Sequence, residues 1–539
     1  MLKITMPLLF KKCRDFIGKN HVALSLALII ILGAFFRFRG LYSQGGIYNG
    51  DDESFLGVAR SFKNSFGFLY DFIVNGFNKD ALRIEAQQFF SGSFRSYTSA
   101  RPGYILLITI PTLIFGVKDY IPTFLNASLS LASIYLVYKI GKEMIGKTVV
   151  GLLSALVLSI SGYSIFFSRT GSAQTASSFF LILGMLFYFY SLRVDENAVS
   201  AKFYLKLAAI TFGFLFTTHY NVHIFLAIIF CFDIVYFFRK KLIKERLTTV
   251  FWYFIPFIVF FEMISILEVW LFNHWHFQSK YFTYFGEIIY SIKSVPSFYE
   301  AYSNNAPILK YLIFLKTFDS IIIVFLFLLA PFLFFYKKLW RNHKYFLLFI
   351  LTYLPFVFYS LIKLKTEYNF VVFLPLIALL SGVVTYELIG YIKNEYWKKI
   401  ALIATVVLIL FFGLKTAYIF SGFKNPYNQA AQFLKTQGEI KSMCGTRNGT
   451  ENVKFYLNDY SINSKMSTED CPMAQYVMLD WALAYFPVNR KQWEDFTKNN
   501  KPIMSYDHPY FTYLCEHLYW EIGDGNCREL SSLRIYKNY

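Results

Sequence analysis

The chain has 539 residues, 56% of them apolar, 21% aromatic and only 16% charged, with a mean hydropathy of +0.41 and a net charge of +19. A soluble protein of this size would divide into several domains and cover them with charge; here apolar runs long enough to cross a bilayer recur instead. In such a chain the basic excess belongs to cytoplasmic loops, and nucleic acid is not among the expected partners.

The N-terminal basic residues Lys3, Lys11, Lys12, Arg14 and Lys19 precede an apolar run at 21–36. Bulky and basic residues follow it, with no small-x-small cleavage site, so the run reads as a retained first span with the N-terminus inside. Further spans are expected at 122–138, 148–167, 174–192, 203–218, 222–238, 249–272, 318–336, 345–362, 369–391 and 400–420, giving about eleven with the first at 21–38. Basic residues then fall on alternate loops: Lys139, Lys142 and Lys147; Arg193, Lys202 and Lys206; Arg239, Lys240, Lys241, Lys244 and Arg246; Lys337, Lys338, Arg341 and Lys344; Lys393, Lys398 and Lys399. This is the positive-inside pattern, and it stays in register only if the 13-residue segment 104–116 does not span. That segment is too short for the hydrocarbon core and suits an interfacial helix in the first outer loop.

The outside therefore receives the first loop (40–121), an aromatic loop (273–317), short turns at 168–173, 217–221 and 363–368, and a C-terminal domain, 421–539. Strand-like runs at 441–444, 475–479, 502–506 and 533–536 alternate there with helix-like runs at 426–435, 451–457, 490–499 and 510–520, which argues for a small α/β fold. Its cysteines, Cys444, Cys471, Cys515 and Cys527, allow three pairings in an oxidising compartment. The expected one is local, 444 with 471 and 515 with 527, and four buried thiols are the alternative. Cys13 and Cys231 read as inert, and Asn448-Gly449-Thr450 is a glycosylation sequon.

Chemistry points to the first loop. Asp51-Asp52-Glu53 stands where a periodic helix begins. One carboxylate there serves as a cap; three contiguous ones exceed that need and supply a general base with supporting acids. Cations at the outer face, Arg37, Arg39, Arg101, Arg169, Lys363 and Lys365, run against the charge rule. Snorkelling accounts for such residues singly; as a set they suit a lipid-linked phosphate. Thr217-Thr218-His219 adds a polar turn between spans, with His219 either a structural hydrogen-bonding residue or a phosphate contact. His274-Trp275-His276 lacks a second ligand pair, so no metal site is assigned. No nucleotide-binding or nucleophile-elbow motif occurs.

These residues resemble those of the GT-C membrane glycosyltransferases, in the branch that holds the protein O-mannosyltransferases and the bacterial lipid A aminoarabinose transferase. Asp52-Glu53, with a following helix that ends in Ala59-Arg60, resembles the family's first-loop acidic pair. Arg101-Pro102-Gly103 resembles the start of its juxtamembrane helix, and Ser168-Arg169 with Gln174 resembles its Ser-Arg turn. Lys363-Leu364-Lys365, Tyr368 and Pro375 resemble its late basic stretch. The likeness covers roughly residues 21–420. It departs at Gln174, where many members carry an Asp, and at His219 and Arg101, where aminoarabinose transferases carry Lys.

The resemblance implies a mainly α, polytopic membrane glycosyltransferase domain at 1–420 with an extracytoplasmic α/β domain at 421–539. It implies inverting transfer of a sugar from a polyprenyl-phosphate donor to a hydroxyl on a lipid, glycan or protein acceptor. Asp52 is the expected base, supported by Glu53 and Asp51; Arg101, Arg169, His219, Lys363, Lys365 and Tyr368 are the expected phosphate contacts. No cofactor is assigned; a divalent metal is compatible with the acidic triplet, and Gln174 leaves metal dependence open. The bacterial inner membrane is the expected location, ahead of the endoplasmic reticulum. The rival is a transporter or flippase, which would favour internal repeats and mid-span ionisable groups, and the sequence displays neither.

Overall fold

The computed structural model describes residues 6–41, 101–193, 199–219, 222–238, 243–274, 309–361, 367–457, 462–465, 471, 473–480, 483, 487–510, 512–513, 529 and 531–537. The acidic triplet, Lys363, Lys365, His276, Cys515, Cys527, most of 273–317 and most of 510–520 lie outside the described residues.

Each segment expected to span is helical over most of its length. In chain order the described helices are α1 (Met6–Phe38), α2 (Pro102–Phe115), α3 (Tyr120–Ile145), α4 (Thr148–Ile160), α5 (Gly162–Ser168), α6 (Ala173–Arg193), α7 (Val199–Phe216), α8 (His223–Phe238) and α9 (Ile243–His274). They continue as α10 (Lys310–Phe318), α11 (Ile321–Tyr336), α12 (His343–Leu361), a 3₁₀ turn (Glu367–Phe373), α13 (Leu374–Ile389) and α14 (Glu395–Ser421). Seven of these regions are long and apolar enough to cross a membrane, and α4 with α5 forms an eighth as a bent pair. The apolar stretches of α8, α9 and α11 are shorter. At 14 residues α2 spans only about 21 Å, less than the hydrocarbon core. It buries Tyr104, Ile105 and Ile108 while exposing Leu106, Ile110, Ile114 and Phe115, so both its faces are apolar.

Small residues let the central helices touch. A Cβ on Gly141 of α3 would lie 2.7 Å from the Cα of Gly151 in α4, and one on Gly382 of α13 would lie 2.8 Å from the Val150 carbonyl. Where lipid is as apolar as leucine, such close approach supplies the van der Waals contact that holds helices together.

The α4–α5 span bends by 58° at Ser161, whose backbone is extended. The bend frees backbone groups on both sides, and in an apolar interior each must find a partner. Arg37, fully buried on α1, donates to the carbonyls of Leu158 and Ser159, each at 3.0 Å. Its other donors reach Gly33 O at 3.2 Å, Ser130 Oγ at 2.8 Å and Ser164 Oγ at 3.0 Å. Across the break Asp319 Oδ1 accepts from Ser161 Oγ at 2.7 Å and from the Tyr163 amide at 3.2 Å. A cation thus faces the negative end of α4 and an acidic side chain faces the positive end of α5.

After α14 come α15 (Pro426–Lys435), β1 (Ser442–Gly445), α16 (Arg447–Leu457), β2 (Asn463–Lys465), β3 (Tyr476–Leu479), α17 (Pro487–Asn499), β4 (Met504–Tyr506) and β5 (Leu533–Lys537). The strands form one sheet in the order β2-β1-β3-β5-β4, parallel across β2, β1 and β3 and antiparallel across β3, β5 and β4. Side chains alternate: Met443, Tyr476, Met478, Leu533 and Ile535 join the core that continues into the membrane helices, while Cys444, Val477, Leu479 and Tyr536 pack with Trp493 on the other face. Cys444 and Cys471 form the expected disulfide. Thr450 of the sequon is buried in α16 and bonds the Thr446 carbonyl at 3.1 Å, so the folded chain does not present it.

Replacing Arg37 by Met keeps a long apolar stem but leaves the carbonyls of Leu158 and Ser159 without their donors. The loss should be on the order of 3 kcal/mol, read as a lower unfolding midpoint of the purified protein in detergent. An unchanged midpoint would mean that packing alone holds the bend.

Candidate functional site

Contacts among the connections expected outside join residues far apart in sequence. The Gly103 amide donates to the Thr217 carbonyl at 2.9 Å, and a Cβ on Gly103 would collide with Thr217, so the start of α2 sits directly on the turn after α7. This seats Arg101, which precedes Pro102 at the first position of α2, near the buried His219.

Gln174, at the start of α6, completes the cluster. Its Oε1 accepts from Ser172 Oγ at 2.5 Å, and its Nε2 lies 3.1 Å from His219 Nε2. Beside it Ser177 and Thr218 share a hydrogen bond of 2.9 Å. Burial first, then the charges of Arg101 and His223, hold the His219 imidazole neutral, well below its usual titration range. His219 can therefore offer a hydrogen bond to a ligand but no charge.

The turn between α5 and α6 is pinned from beneath. Asn126 Nδ2 donates to the carbonyls of Thr170 at 2.8 Å and Ser172 at 2.9 Å and lies 3.0 Å from Tyr104 Oη, while Tyr104 donates to the Gly171 carbonyl at 2.5 Å. Tyr368 lies edge-on to Phe167 at 6.1 Å, at the end of α5. The 3₁₀ turn that carries Tyr368 follows Lys363 and Lys365 directly in sequence.

The expected phosphate set divides as follows. Arg101 and His219 come together, and Tyr368 stands at the neighbouring helix end. Arg169 is 1% exposed, and its Nη1 lies 2.7 Å from the Arg39 carbonyl, 3.2 Å from that of Arg37 and 3.4 Å from that of Phe36. Arg37 is neither a snorkelling residue nor a surface cation, for the reason given above. Arg39 lies over the Tyr418 ring at 4.4 Å. Asp51, Asp52, Glu53, Lys363 and Lys365 are outside the described residues. Sequence reasoning did not single out Asn126, Tyr104 or Asp319; each is a polar side chain inside or beside an apolar run, a signal that marks burial without naming a partner.

No group of three metal-ligating side chains occurs among the described residues. Gln174 and His219 bond each other beneath the charge of Arg101, a donor set that does not suit a divalent cation.

The C-terminal portion packs against this region. Tyr510 stacks on Phe166 with centroids 3.8 Å apart, Tyr513 donates to the Thr317 carbonyl at 3.0 Å, and Phe455 of α16 joins Tyr104 and Ile105 of α2 in one apolar cluster. Asn425 donates to Tyr456 at 2.6 Å, and Tyr456 in turn hydrogen-bonds Asp119, whose carboxyl burial pushes upward. Elsewhere the Arg246–Asp233 pair at 2.8 Å joins α9 to α8, and the Lys337–Glu387 pair at 2.6 Å joins the end of α11 to α13.

No family model matches the chain, and no curated protein matches it in sequence. Solved structures do match. The archaeal oligosaccharyltransferase AglB from Archaeoglobus fulgidus, in complex with an inhibitory peptide and a dolichol-phosphate, is 12% identical with a TM-score of 0.54, over 88% of this chain and 72% of that one. The Archaeoglobus fulgidus oligosaccharyltransferase tethered to an acceptor peptide with the NVT sequon is 11% identical with a TM-score of 0.53, over 92% of this chain and 74% of that one. ArnT from Cupriavidus metallidurans, in the apo state, covers 97% of this chain and 98% of its own at 12% identity and a TM-score of 0.48. The chain shares its fold with these oligosaccharyltransferase structures, in keeping with the fold expected from the GT-C resemblance.

His219 gives a pH test with a definite sign. Its folded-state pKa lies below the unfolded value near 6.5, so the unfolded chain binds the extra proton and stability falls as pH drops below about 6.5. Asp119 works in the opposite sense, so the comparison is between variants. Between pH 7 and pH 5 the melting midpoint of His219→Gln should fall less steeply than that of the parent chain; parallel curves would refute a neutral buried imidazole.

Proposed function

We propose that the chain is an integral-membrane, inverting glycosyltransferase that moves a sugar from a polyprenyl-phosphate donor to a hydroxyl on an envelope lipid, glycan or protein. The observation that carries this reading is the meeting of Arg101, Gln174 and His219, from three separate connections, in a fold shared with enzymes of lipid-linked sugars. One of those neighbours is seen with dolichol-phosphate.

In the proposed reaction Asp52, supported by Glu53 and Asp51, accepts the acceptor hydroxyl proton as the oxygen attacks the sugar's anomeric carbon. The bond from that carbon to the phosphate oxygen breaks, and the lipid phosphate leaves as an anion. Arg101, Lys363 and Lys365 stabilise the departing charge, with hydrogen bonds from His219 and the Tyr368 hydroxyl. A sugar on a lipid phosphate is already activated, so no nucleotide is needed, and positioning with charge stabilisation carries the acceleration. The location that goes with this reading is the bacterial inner membrane, with the site and the 421–539 domain outside; the Cys444–Cys471 disulfide accords with an oxidising compartment.

Asp52→Asn should fold and insert normally yet lose transfer from labelled undecaprenyl-phosphate sugars by about 10²-fold or more. A near-parental rate would remove Asp52 from the mechanism. Lys363→Ala combined with Lys365→Ala should lower kcat/KM for the donor about tenfold or more, since both charges act on the phosphate as it departs. Unchanged donor kinetics would dismiss that contact.

A further inference from the structure

Arg169 stands beside the proposed phosphate site, but its observed bonds point elsewhere. The last carbonyls of any helix lack partners within it. At the end of α1 these are the carbonyls of Phe36 and Arg37, with that of Arg39 just beyond, and Arg169 Nη1 reaches all three at 3.4, 3.2 and 2.7 Å. The guanidinium is 1% exposed, so it acts as a C-terminal cap supplied from 130 residues away.

The bonding is reciprocal. Arg37, on the last turn of α1, holds the Leu158 and Ser159 carbonyls and Ser164 Oγ, and Arg169, just past the end of α5, holds the carbonyls of that same turn. Two arginines thus fasten the exit of α1 to the bent span from both directions. The 170–172 turn that follows Arg169 is the one pinned by Asn126 and Tyr104, and it leads into Gln174 and His219. The point where the first loop departs and the Arg101–Gln174–His219 cluster are therefore referenced to one rigid element.

We infer that Arg169 is a positioning residue: it clamps the end of α1, at 36–39, against the turn that leads to the Arg101–Gln174–His219 cluster, rather than binding the donor itself. This rests on the glycosyltransferase reading for its catalytic consequence and on observed hydrogen bonds for its structural one.

The test uses the full chain in lipid nanodiscs with Arg169→Ala and Arg169→Lys. Three quantities are read: turnover of labelled undecaprenyl-phosphate sugars with an envelope extract as acceptor, affinity for undecaprenyl phosphate, and backbone hydrogen exchange across 35–41. In Arg169→Ala turnover should fall about 10- to 100-fold, the range a misalignment near 1 Å produces. Affinity should stay within about twofold, because the donor contacts are untouched. Exchange across 35–41 should rise while that across 374–389 does not. Lysine, which keeps a positive charge at the helix end, should recover part of both the turnover and the protection. A tenfold loss of undecaprenyl phosphate affinity with turnover of bound donor intact would overturn the proposal in favour of direct contact. Unchanged exchange across 35–41 would overturn it outright. If the parent chain transfers no sugar, the glycosyltransferase reading fails, while the exchange comparison still decides whether Arg169 clamps the exit of α1.

Discussion

The architecture of the membrane region depends on how one bent span is satisfied. A 58° break between α4 and α5 would strand backbone donors and acceptors where no water competes for them. Arg37 and Asp319 remove that penalty from opposite sides, one facing the carbonyl end of α4 and the other the amide end of α5. Both are buried, and both would be costly alone. Their bonds convert two liabilities into a fixed joint that ties α1, the bent span and the approach to α11 together. Gly162 lets that joint close, because a Cβ there would meet the Phe318 carbonyl, Phe420 and Thr416.

From this joint the site follows by packing. α5 ends at Ser168, the next turn is held by Asn126 and Tyr104, and α6 opens with Gln174 against His219. The C-terminal portion is seated against these helices through ring contacts: Tyr510 stacks on Phe166, and Tyr513 lies edge-on to Phe420 at 5.0 Å. Rings bring large apolar area with little side-chain freedom to lose, which suits a contact where lipid gives way to water.

Much of the fold was legible beforehand because membrane helices and strands advertise themselves locally. Apolar length marked the helical segments, and short strand-like runs set between helix-like ones marked four of the five described strands. β2, Asn463–Lys465, carries no such signal: it is short and polar, and it pairs along one side only, with β1. The Cys444–Cys471 bond is the local pairing expected among the three that four cysteines allow. The bend at Ser161 falls on the small and polar stretch Ser161-Gly162-Tyr163-Ser164, which reading 148–167 as one apolar span passed over.

The sequence by itself determined the class of protein: apolar runs and alternating basic loops force a polytopic helical membrane domain, since only closed hydrogen bonding survives in lipid. It also placed Arg101, Arg169 and His219 near one end of the bundle by counting spans. What it left undecided is what each polar group does there. A charge near the end of an apolar run looks the same whether it snorkels, binds a ligand or caps a helix. Arg37 meets Ser159 across 122 residues and Ser161 meets Asp319 across 158, pairings set by which helices pack together. Hydropathy is a local property, whereas hydrogen-bond partnership depends on helix packing, and only the tertiary structure could decide it.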